Sequence, residues 1–187
     1  MAAATWDDRY SAPAIALHWL IALLILATVP LGLLMTELAL SPTKLRLYSY
    51  HKWIGVTVFA LACVRLAWRA THRPPALPPM PVWQARMSRI VHRALYGLLL
   101  AVPLSGWLYS SATGVPTVYL GWWQLPDLVA RDKELAAALR LLHRSLNVAL
   151  ATLVLPHVVA ALKHQFVDRD RLFARMWPAR KPREVGQ

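Results

Sequence analysis

From Ala14 to Met35 the chain runs 22 residues with a single ionisable side chain, His18. A run of that length and character can cross the hydrocarbon core of a bilayer as a helix. Three more apolar stretches follow, and the four spans are expected at about 14–35, 51–69, 91–110 and 141–163. Inside hydrocarbon every backbone N–H and C=O must be paired within the protein, which leaves helices or a closed barrel. A barrel would show alternating segments of about ten residues, and this sequence shows none. The expected fold is therefore all-α, an integral membrane four-helix bundle forming a single membrane domain over residues 1–187.

Composition supports this and excludes other classes. The chain is 57% hydrophobic and 16% charged, with a mean hydropathy of +0.39. A water-soluble protein of 187 residues could not bury that much apolar surface, and a disordered one would not carry it. The sole cysteine, Cys63, rules out a disulfide framework, a thiolate zinc site and a cysteine-ligated iron–sulfur cluster. No Cys-x-x-Cys-His run is present, so covalent c-type haem attachment is excluded as well.

The net charge of +12 is distributed by topology. The N-terminal tail, the link between spans two and three, and the C-terminal tail together hold fourteen Lys and Arg; the opposite side holds seven. The positive-inside rule then puts both termini in the cytoplasm. Charge placed beside spans in short loops meets anionic lipid headgroups, so membrane lipid is the expected partner and nucleic acid is not. Asp7 and Asp8 precede the first span where a cleavable signal would carry positive charge. The run Arg73 to Pro81 reads as a stiff proline-rich link, and a short amphipathic helix is expected near Lys133 to Arg140. Trp53, Trp107, Trp122 and Trp123 read as interfacial anchors.

Seven histidines, at 18, 51, 72, 92, 143, 157 and 164, carry the chemical signal. An ionisable group inside a span is rare and points to function; a single one could equally be a helix-to-helix hydrogen bond, but five lie within or at the ends of spans. Depth sorts them. His51 and His143 begin spans entered from outside, whereas His18, His92, His157 and His164 belong to the inner side. His143 and His157 are fourteen residues apart, nearly four full turns, so they share a helix face about 21 Å apart along the axis. Neutral imidazoles on facing helices at two depths are what two bis-histidine b-type haems require. A zinc or non-haem iron site would want carboxylates at one level, and the spans lack Asp and Glu. Gly32, Gly55, Gly97 and Gly106 would let a flat macrocycle approach the backbone.

These residues resemble the bacterial cytochrome b-561 family. The resemblance is carried by His18-Trp19, by His51-Lys-Trp-Ile-Gly55, by His92-Arg-Ala-Leu-Tyr96 with Pro103-Leu-Ser-Gly-Trp107, and by His143, His157 and His164 at intervals of fourteen and seven. It extends from about Tyr10 to Pro178. It implies a four-helix dihaem b-type cytochrome of the bacterial inner membrane, one branch of which oxidises superoxide and reduces ubiquinone. By position, His18 and His157 would ligate the inner haem iron and His51 and His143 the outer, with His92 and His164 near the quinone. Lys52, beside an outer ligand, is a candidate contact for a haem propionate. Arg9, Arg65, Arg69, Arg86, Arg93 and Lys163 read as lipid-headgroup contacts or as partners of propionate or quinone oxygens. A second reading is a haem-bearing membrane anchor subunit relaying electrons between quinone and a separate dehydrogenase or hydrogenase, which would make a protein partner necessary. A third is a small transporter that moves protons through its histidines.

Overall fold

The computed structural model describes residues 9–76, 80–170 and 172–178. Asp7, Asp8, the middle of the proline-rich link (residues 77–79) and the basic residues Arg171, Arg180, Lys181 and Arg183 lie outside the described residues. Four long helices dominate: α1 (Ala12–Glu37), α2 (Pro42–Thr71), α3 (Val82–Thr113) and α4 (Lys133–Lys163). All four are long and apolar enough to cross a membrane. Neighbours in sequence pack side by side, α1 on α2, α2 on α3 and α3 on α4. Leu23, Leu26, Leu33, Leu141 and Leu155 point outward from this bundle, as lipid-facing side chains should.

The helices start earlier than the hydropathy of their spans suggests, and in α2 and α4 a side-chain cap sets the first turn. The Ser41 hydroxyl accepts from the Lys44 amide at 3.2 Å, and Pro42 opens α2. Asp132 accepts from the amides of Glu134 and Leu135 at 2.8 and 2.9 Å, so α4 begins at Lys133. The separate amphipathic helix expected at Lys133 to Arg140 is instead the first two turns of α4. Pro30, Pro103 and Pro156 all lie inside continuous helices.

At the end expected to face outside, the connection from α3 to α4 holds a small hairpin, β1 (Val118–Tyr119) and β2 (Trp123–Gln124), with Val118 opposite Gln124. The helices grip it. The Trp53 indole donates to the Val118 carbonyl at 2.6 Å and the Trp107 indole to that of Pro126 at 3.1 Å. These two tryptophans are latches on the loop, whereas Trp122 and Trp123 project from it, exposed. Ser110 and Thr117 are buried beneath the hairpin, where the Ser110 hydroxyl donates to the Val115 carbonyl at 2.7 Å. Ala112, Ala136 and Leu139 form a dry cluster below, with Leu108, Tyr109 and Val129 against it.

At the inner end, α4 continues into a π-helical turn (His164–Asp168), followed by a 3-10 turn (Phe173–Met176). This tail straps across the start of α1. The Trp19 indole donates to the Met176 carbonyl at 2.6 Å, the Tyr10 amide to that of Arg175 at 3.2 Å, and the Arg9 guanidinium to that of Trp177.

Gly114 ends α3 with φ of 74°, and a Cβ there would lie 2.8 Å from Cδ of Arg131. A side chain in this left-handed conformation costs about 1–2 kcal/mol. Gly114→Ala should therefore lower the thermal unfolding midpoint in detergent by about 2–8 °C. An unchanged midpoint would mean that the α3 terminus can relax.

Candidate functional site

The five span histidines fall into two groups at two depths of the bundle. In the outer group, His51 on α2 and His143 on α4 have ring centres 6.3 Å apart with planes at 88°. Both rings are held by the neighbouring helix. Nδ1 of His51 lies 3.2 Å from the Thr28 carbonyl and 3.1 Å from the Thr28 hydroxyl on α1. Nδ1 of His143 lies 3.0 Å from the Val102 carbonyl and 3.0 Å from the Ser105 hydroxyl on α3. A carbonyl oxygen can only accept, so each Nδ1 carries the proton, and Nε2 is left with its lone pair.

Glycine makes both contacts possible. One turn beyond Thr28 is Gly32, and one turn beyond Val102 is Gly106. A Cβ on either would stand 3.0 Å from Cε1 of the histidine it faces, His51 and His143 respectively. Gly32 and Gly106 therefore make room for imidazole rings, which corrects the expectation that they face a macrocycle directly. Gly55 and Gly97 have open space where a Cβ would sit, so they retain that expected part.

In the inner group, His18 on α1 and His157 on α4 have ring centres 6.3 Å apart with planes at 72°. His92 on α3 also meets His157, but at 5.2 Å. The His92 Nδ1–H donates to the Ser88 carbonyl of its own helix at 2.6 Å, and the residue is exposed at the bundle surface. Among the described residues, neither His18 nor His157 has a ring nitrogen hydrogen-bonded to protein. Arg65 on α2 stands beside this group. Its Nε donates to the Tyr96 hydroxyl at 3.2 Å, and its NH1 donates to the Ala14 carbonyl, one turn before His18, at 3.2 Å. The guanidinium lies over the Tyr96 ring at 5.6 Å, with Arg69 at 5.5 Å.

The spacing tests what such pairs can hold. A bond of about 2.0–2.1 Å from a transition metal to imidazole nitrogen, with roughly 1.1 Å more to the ring centre, would let two imidazoles share one metal ion with ring centres about 6.3 Å apart. Both His51–His143 and His18–His157 meet this spacing. The His92–His157 distance of 5.2 Å falls about 1 Å short of it. With Nε2 left free on the outer pair and the same ring spacing at both levels, the residues present fit a haem iron at each depth.

The remaining expected site residues lie elsewhere. His164 turns to Asp170, with Nδ1 2.6 Å from the carboxylate, and Asp168 is 3.3 Å away. Lys52 places its ammonium 3.2 and 3.3 Å from the carbonyls of Val115 and Pro116, tying the outer loop down beside His51. His72 stacks on Trp68 at 3.7 Å on the exposed end of α2, and Cys63 is exposed. Sequence reasoning missed Thr28, Val102 and Ser105. The available signal was the matched pair of glycines in spans one and three, at the depth of the outer histidines.

The match to known proteins extends over the same helices. The family model of prokaryotic cytochrome b561 covers residues 9–179. Cytochrome b561 homolog 2 of Escherichia coli K12 is 33% identical over 171 residues, 90% of this chain and 91% of its own length. Cytochrome b561 homolog 1 of the same organism is 30% identical over 184 residues, spanning 93% and 99%. A Yersinia pestis protein named probable superoxide oxidase CybB is 24% identical over 184 residues, spanning 92% and 98%. With four apolar spans and a family match along nearly its whole length, the chain belongs to the prokaryotic cytochrome b561 family and is a multi-pass b-type cytochrome of a bacterial membrane.

Proposed function

We propose that this cytochrome carries electrons from superoxide at the periplasmic side of the inner membrane to ubiquinone at the cytoplasmic side. The observation that carries this reading is the pair of histidine couples, each with ring centres 6.3 Å apart, on α2–α4 and α1–α4. His51 and His143 would hold the outer haem, and His18 and His157 the inner one. Each bound haem would supply a one-electron couple. The roughly 21 Å between His143 and His157 along α4 separates the two.

The protein's part follows from its charges and donors. Lys44, Arg46, Lys52, Arg131, Arg140 and Arg144 are on the outer side and attract an anion such as superoxide. Two superoxide anions give up one electron each and leave as dioxygen. One ubiquinone takes up the two electrons with two protons and leaves as ubiquinol. His92 suits the quinone end because it is exposed on the bundle while its ring meets His157. Its Nδ1–H is engaged by Ser88, so Nε2 is the atom that would take a proton from solvent and pass it to a quinone oxygen. His164, hydrogen-bonded to Asp170, is a candidate for resupplying that proton. The excess of Lys and Arg on this side supports a cytoplasmic location for both termini.

The ligand assignment is tested by quantifying haem in purified variants. His51→Ala or His143→Ala should remove only the outer haem, and His18→Ala or His157→Ala only the inner. Loss of the same haem from His18→Ala and from His51→Ala would require a different pairing.

His92→Ala should keep both haems and the reduction of the outer one by superoxide, while losing most quinone reduction. Loss of the inner low-spin signal in a folded His92→Ala protein would make His92 an axial ligand. Quinone reduction by the purified single subunit, with superoxide as donor, separates the autonomous enzyme from the anchor reading. Activity that appears only with a dehydrogenase or hydrogenase present would establish the latter.

A further inference from the structure

The two histidine couples differ in what surrounds them, and the difference has a direction. At the outer couple, each Nδ1–H is shared between two oxygen acceptors: the carbonyl and hydroxyl of Thr28 for His51, and the Val102 carbonyl with the Ser105 hydroxyl for His143. The Ser105 hydroxyl itself donates to the Val102 carbonyl at 2.7 Å, so its lone pairs are turned toward His143. Acceptors on the distal nitrogen make an imidazole a stronger electron donor through Nε2. A more strongly donating ligand stabilises the oxidised metal and lowers its reduction potential.

At the inner couple this support is missing and a positive charge replaces it. Neither His18 nor His157 has a protein acceptor on its ring among the described residues. The Arg65 guanidinium is fixed one turn from His18 by its bond to the Ala14 carbonyl and is steadied by Tyr96. A fixed cation in a low-dielectric setting favours the state that has gained an electron.

Building on the ligand assignment proposed above, we infer that Thr28 and Ser105 are positioning residues that lower the potential of the outer couple, while Arg65 raises that of the inner. Both effects have the same sense. An electron given up at the outer site is gained at the inner site downhill, without an external field. The polarity of transfer is thus written into three side chains that are not themselves the proposed haem ligands.

Potentiometric titration of the purified holoprotein, following the two haem α-bands, tests this. The outer component is identified as the one missing in His51→Ala. In the wild type it should titrate at the lower potential. Thr28→Val combined with Ser105→Ala should keep both haems and shift the outer component upward. The expected change is on the order of tenfold in its oxidised-to-reduced ratio, which corresponds to about 59 mV for one electron. The inner component should stay in place. Thr28→Ser, which keeps the hydroxyl, should restore the wild-type value at that position, and Arg65→Gln should lower the inner component alone. Should the double variant fold poorly, the comparison of Thr28→Val with Thr28→Ser decides the matter alone. An unmoved outer component in a variant with both haems bound, equal movement of both components, or a wild-type inner couple at the lower potential would each overturn the inference. Retention of two haems in His51→Ala would also overturn it, but by refuting the ligand assignment beneath it.

Discussion

An imidazole N–H donated to a main-chain carbonyl across a helix pair is the interaction on which this bundle depends. In hydrocarbon, a polar side chain must find a partner inside the protein. His51 finds Thr28 on α1 and His143 finds Val102 on α3. Each bond does two things. It ties one helix to its neighbour at the depth of the outer couple, and it leaves the second ring nitrogen with a lone pair in a set direction. The glycine one turn further along each partner helix lets the ring come that close. The bundle therefore contains two similar half-units, α1 with α2 and α3 with α4, each built around one cross-tied histidine.

The inner half is assembled differently. α1 and α4 meet there through the rings of His18 and His157, and their backbones do not pack closely. Arg65 links α2 to α1 and α3 in the same layer. The C-terminal strap closes the end, with Trp19 between Phe173 and Trp177 at 6.4 and 5.7 Å. Stiffness in this half comes from aromatic contacts and a half-buried arginine rather than from cross-tied imidazoles.

Much of this was legible in the sequence because hydropathy and histidine depth report on the membrane axis. Four spans, their order and the division of histidines into two levels all follow from distance along a helix. Helix ends were less legible. α2 and α3 each begin nine residues before the expected span, and α4 eight, because Ser41, Pro81 and Asp132 start helices in polar segments that hydropathy does not score. Position around the bundle was hidden too. Depth alone leaves His18, His92 and His157 equivalent; only the ring separations distinguish the 6.3 Å pair from the 5.2 Å one. The carbonyls of Thr28 and Val102 had no side-chain signature, since every residue has a carbonyl. Trp53 and Trp107 looked like lipid anchors because an indole's apolar body is visible in a sequence while the partner of its N–H is not.

The indole latches have a mechanical consequence for the outer face. Trp53 and Trp107 belong to different helices, and they hold the connecting segment at opposite ends of the hairpin, at Val118 and Pro126. Lys52 pins the same segment at Val115 and Pro116. To swing aside as a lid, the segment would have to break these bonds together. The connecting segment is thereby coupled to α2 and α3 at several points and moves with those helices rather than independently of them.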